Sequence, residues 1–82
     1  MTDRRSYVSL AELASGARAV VREVGGGKVL ASRLAAMGLL VGSRLEVLQN
    51  PHHGPVLIRV RDTRIALGRG EATKVLAEEV AG

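Results

Sequence analysis

The sequence predicts a mainly β domain with small helices, in which about five short strands curl into one small barrel capped by a single α-helix. Three observations predict it. Runs with apolar residues at every second position recur along the chain, only one stretch has helical spacing, and the chain is too short for two full sheet layers. A domain of 82 residues buries roughly 60% of the surface its unfolded chain exposes. Strands this short do better by closing on themselves, which also removes most exposed edges.

The helical stretch runs from Lys28 towards Gly42. Leu30, Leu34 and Met37 are spaced i, i+4 and i+7 and share one face. Gly38 follows them where a left-handed residue ends a helix, a conformation that glycine adopts without a Cβ penalty. Leu39, Leu40 and Val41 come next. No single element buries three consecutive aliphatics on one face, so at least one is expected in solvent, where an exposed aliphatic at a barrel end can recognise another protein.

The other elements take their order from alternation and turn chemistry. Ser9 and Glu12 are spaced as a capping box, predicting a short helix over 9–14. The run 17–24 places Ala19 and Val21 inward, and three glycines, Gly25 to Gly27, break it before the helix. Leu45 and Val47 point inward from 44–49, Val56, Ile58 and Val60 from 56–61, and Ile65 and Leu67 from 64–67. The NPHHGP segment joins the first two of these strands as a loop, and a tight hairpin around Asp62 and Thr63 joins the next. One helical turn over 71–74 and a last strand over 75–80 complete the chain. This arrangement is an SH3-like barrel over residues 9–80, with 1–8 as a flexible N-terminus and 81–82 as a tail.

Composition excludes several classes. There is no cysteine, hence no disulfide framework, zinc ribbon or thiol chemistry, and the chain suits a reducing cytoplasm. The two N-terminal arginines have no apolar segment behind them, unlike a signal peptide. The uncharged run from Leu34 to Ser43 has ten residues, two of them glycine, against about 20 for a membrane span. The net charge of +4 favours an acidic partner, whether nucleic acid, an anionic membrane face or an acidic protein.

Candidate chemistry is sparse. Gly25-Gly26-Gly27-Lys28 before a helix would attract anions, but a P-loop needs Gly where Arg22 stands and Ser or Thr where Val29 stands. His52 and His53 are the only imidazoles, weak candidates for a metal because neighbours in an extended chain point to opposite sides. No Ser-His-Asp order or carboxylate pair points to an enzyme. Arg59, Arg61, Arg64 and Arg69 resemble the charged face of an RNA-binding barrel. Such barrels lean on aromatic stacking, however, and the single aromatic, Tyr7, is expected outside the barrel.

Taken in order, these pieces resemble the FeoA family, small cytoplasmic proteins of bacterial ferrous iron uptake. The resemblance rests on Leu10, Leu13 and Gly16; on Arg33, Leu34, Met37, Gly38 and Leu39; on Gly42, Leu45 and Val47; on Pro55 to Val60; and on Arg64 to Ala72. Val41 departs from the family, which often has proline there. The resemblance implies an SH3-like barrel without enzymatic activity that assists ferrous iron transport by contact with the cytoplasmic part of a FeoB-like permease. It also implies a looser association with ferrous iron or another divalent transition metal, since similar domains end metal-dependent repressors. The docking surface expected here is Met37, Leu39 and Leu40 with Arg33. Rival readings are a nucleic-acid-binding small barrel and a metal-responsive regulatory domain. The sequence leaves self-association open.

Overall fold

The alternating runs each bury one face, and the buried faces meet. In a computed structural model describing residues 6–51 and 53–81, they form β2 (Arg18–Val24), β3 (Arg44–Gln49), β4 (Val56–Val60), β5 (Thr63–Leu67) and β6 (Val75–Glu79). Ala19, Val21, Leu45, Val47, Val56, Ile58, Val60, Ile65 and Leu67 all lie in one buried cluster, as the alternation predicts. Val75 and Ala77 add the inward face of β6.

All pairings are antiparallel, in the order β1-β6-β2-β3-β4-β5, where β1 is Tyr7–Ser9. β2 to β5 form a meander, and β6 returns to the free side of β2. Register shifts interrupt the β2–β6 ladder between Val21 and Glu23 and the β3–β4 ladder between Val47 and Gln49. Such irregularities bend and twist a strand, and here they curl the sheet around its single core. The two edge strands are β1 and β5. A 3-10 turn (Leu10–Glu12) follows β1, and α2 (Arg69–Ala72) follows β5; these two pieces touch and bridge the seam. Leu10, Leu13 and Ala72 are buried beneath the bridge.

Three expectations need correction. Tyr7 and Val8 belong to a sixth strand, pairing with Glu78 and Ala77, so order begins before Ser9; the edge of β6 offers unpaired backbone groups that a β-forming Tyr-Val satisfies. Residues 1–5 of the expected flexible terminus lie outside the described residues. The capping box at Ser9 does not form, because the chain makes only one 3-10 turn before Leu13 turns extended to bury its side chain. The second helical turn spans Arg69–Ala72 rather than 71–74; the Gly68 N–H donates to Glu71 Oε1 at 3.2 Å and starts it earlier.

α1 spans Gly27–Ala36. Of its expected stripe, Leu34 is buried and Leu30 half-buried, while Met37 is the exposed C-cap residue and leaves the stripe. The ending is well defined. The Gly38 N–H donates to the Ala35 carbonyl and the Leu39 N–H to the Leu34 carbonyl, both at 2.9 Å, with Gly38 at φ +94°. A Cβ at Gly38 would meet nothing within 4 Å, so Gly38→Ala incurs a conformational penalty alone. It is expected to lower stability by about 1 kcal/mol in urea unfolding. An unchanged midpoint would show that the helix end relaxes without that glycine.

Candidate docking site

The helix ending decides which of the three consecutive aliphatics is available. Leu39 is the residue whose N–H closes the helix, and an apolar residue at that place packs on the last turn. It is 1% exposed, in the same core cluster as Leu34. Leu40 and Val41 are 53% and 64% exposed, and Met37 is 39% exposed. Leu39 is therefore withdrawn from the expected docking surface and becomes its floor.

The exposed residues are held in place. The Leu40 N–H donates to Ser43 Oγ at 3.0 Å, and that hydroxyl donates to the Gly38 carbonyl at 3.1 Å. The loop is tied to β2 by Gly42 N–H to the Val21 carbonyl at 2.7 Å and Val21 N–H to the Ser43 carbonyl at 2.9 Å. Met37, Leu40 and Val41, with Val60, Arg44 and Arg61, line a groove of about 710 Å³.

A second recess of about 410 Å³ adjoins it, lined by Arg18, Arg44, Arg59 and Arg61 with Glu46 and Val80. Arg44 and Arg61 line both recesses. Arg59 Nη2 pairs with Glu46 Oε1 at 2.6 Å across β3 and β4. Arg44 and Arg61 make no side-chain hydrogen bond or ion pair among the described residues. Arg61 is the first residue of the two-residue β4–β5 turn, between the paired Val60 and Thr63, and sits at φ +55°. A two-residue hairpin of the favoured hand needs positive φ at that place.

The remaining sequence candidates are used otherwise. Arg33 pairs with Glu71, tying α1 to α2, and lines neither recess. Arg69 does not join a basic face. Its Nη1 donates to Asn50 Oδ1 at 3.0 Å and to the Pro51 carbonyl at 2.5 Å, and its Nη2 to the Ala11 carbonyl at 3.1 Å. Asn50 Nδ2 donates to the Ala11 and Leu13 carbonyls at 2.9 and 2.6 Å. This clasp fastens the seam. The glycine joint is engaged too, with the Gly25 N–H donating to the Lys74 carbonyl at 2.7 Å. His53 is exposed, and His52 lies outside the described residues. Among the described residues no group of three or more His, Cys, Asp and Glu is placed to hold a metal ion. No helix among them is long and apolar enough to cross a membrane.

A family model described as the FeoA domain matches residues 8–79. The chain belongs to the FeoA family. This FeoA-family chain is 37% identical over 70 residues to a Methanocaldococcus jannaschii protein provisionally named Fe(2+) transport protein A, covering 85% of this chain and 84% of that one. It is similar to a crystal structure of an iron uptake regulatory protein, FeoA, with TM-score 0.86 and 32% identity, over 90% of this chain and 99% of that one. A solution structure of FeoA from Chlorobium tepidum gives 0.83 and 30%, over 92% and 72%. A manganese-dependent transcriptional repressor shares the fold alone, with TM-score 0.81 at 18% identity, over 90% of this chain and 42% of the repressor. The SH3-like fold and the family expected from the sequence are those found.

Proposed function

We propose that this FeoA-family protein is an accessory component of ferrous iron transport that works on the cytoplasmic side by docking on a FeoB-like permease, without catalysis of its own. The family and the Fe(2+) transport name of its M. jannaschii relative support the transport role. One observation carries the docking role: Met37, Leu40 and Val41 stand in solvent on a loop pinned by its own hydrogen bonds. Burying one such aliphatic at an interface contributes about 1.5–3 kcal/mol at most, and a loop already held in place loses little entropy on binding. In this reading iron is the permease's cargo.

The test is co-purification of the tagged chain with detergent-solubilised FeoB-like permease from the same organism. Retention of the permease by the chain is expected. A permease that washes through a saturated column would refute docking.

A further inference from the structure

We infer that the aliphatic groove and the arginine recess form one continuous track for an acidic, aliphatic segment of the partner protein. Its apolar side chains would lie against Met37, Leu40 and Val41, and its carboxylates would lie over Arg44 and Arg61. The inference rests on the docking reading and deepens it by naming the surface and the chemistry of the partner.

Two features join the recesses. They share Arg44 and Arg61, so a ligand leaving the aliphatic end passes directly over guanidinium groups. The second recess is also rich in arginine, and among the described residues its Glu46 carboxylate is already engaged by Arg59, not by Arg44 or Arg61. The planar fork of arginine matches a carboxylate with two parallel N–H donors. Arg44 and Arg61 have no partner for that fork among the described residues.

Charge complementarity calls for an anion, and the aliphatic half decides which anion. Nucleic acid would satisfy the guanidiniums with phosphates but would leave Met37, Leu40 and Val41 against water. Bases stack on aromatic rings, and the one aromatic, Tyr7 in β1, lines neither recess. A peptide carrying Leu or Val beside Asp or Glu fills both halves.

The test measures affinity of the full-length chain for the purified cytoplasmic region of the permease, at roughly 50 and 300 mM salt, a range over which screening of exposed charges increases strongly. The double variant R44E/R61E is expected to bind at least about tenfold more weakly than the parent and to lose the parent's salt dependence. The variant L40S/V41S should also lose about tenfold or more, with its salt dependence kept. Arg64 is exposed and lines neither recess, sitting across the β4–β5 ladder from Arg59, so R64E should bind within about twofold of the parent, as an exposed rim charge does. Thermal unfolding of each variant confirms that the fold persists, and R44A/R61A should weaken binding in the same direction without reversing any charge.

If the parent binds and either recess variant binds equally well, the track is wrong while docking stands. If R64E weakens binding as much as R44E/R61E, the attraction is diffuse and the track is again wrong. If the parent does not bind at all, docking itself fails and the track fails with it. A single-stranded oligonucleotide of about 20 residues that binds tightly and is indifferent to L40S/V41S would assign the arginines to phosphate and overturn the inference.

Discussion

Leu39→Ser is expected to lower the unfolding free energy by about 3 kcal/mol or more, whereas Leu40→Ser, one residue on, moves it by less than about 0.5 kcal/mol. The contrast follows from the helix ending. Leu39 closes α1 through its N–H and lies in the core with Leu34, so a serine there leaves a cavity and a buried hydroxyl with no arranged partner. Leu40 already faces solvent, and its backbone bond to Ser43 survives the change. For a domain of this size 1 kcal/mol corresponds to about 4–8 °C in midpoint, so thermal unfolding resolves the two easily. Partner binding should sort them the other way round: Leu40→Ser weakens docking in a fully folded protein. Equal midpoints for the two variants would contradict the assignment of floor and surface.

The clasp across the seam gives the second large effect. Asn50→Ala removes two hydrogen bonds donated to the Ala11 and Leu13 carbonyls and the acceptor for Arg69. Both residues are part-buried, so a loss of about 2 kcal/mol is expected. Arg69→Met keeps the aliphatic stem but removes the bonds to Ala11, Asn50 and Pro51, and should lose about 1.5 kcal/mol. The double variant should lose less than the sum, because the two side chains bond to each other and share the Ala11 carbonyl. Strict additivity in urea unfolding would mean that the two residues act separately and no clasp exists.

Much of this was legible in the chain, and the unread parts share a cause. The inward residues of β2 to β5 follow from a period of two, which is local and survives any tertiary arrangement. The end of α1 was legible through Gly38, and so in principle was the burial of Leu39, since an apolar residue directly after such a glycine packs on the last turn. β1 carries too few residues to show alternation; its partner, β6, is almost the whole chain away. For the same reason the sequence does not place the groove's guanidiniums, although Arg61 is among the basic residues it singles out. Arg44 opens β3 and Arg61 sits in a hairpin turn, and only closure of the barrel sets them beside Met37 and Leu40. The basic neighbours of Arg69 suggest a basic face, but its orientation depends on Asn50, nineteen positions earlier.

The turn at Arg61 sets two demands against each other at one position. A glycine would occupy that left-handed backbone with less strain, yet it would strip the guanidinium from the place where both recesses meet. Stability alone favours glycine at this position, whereas the track inferred above favours arginine. A sturdier FeoA domain engineered without regard to its partner would therefore tend to lose this side chain early.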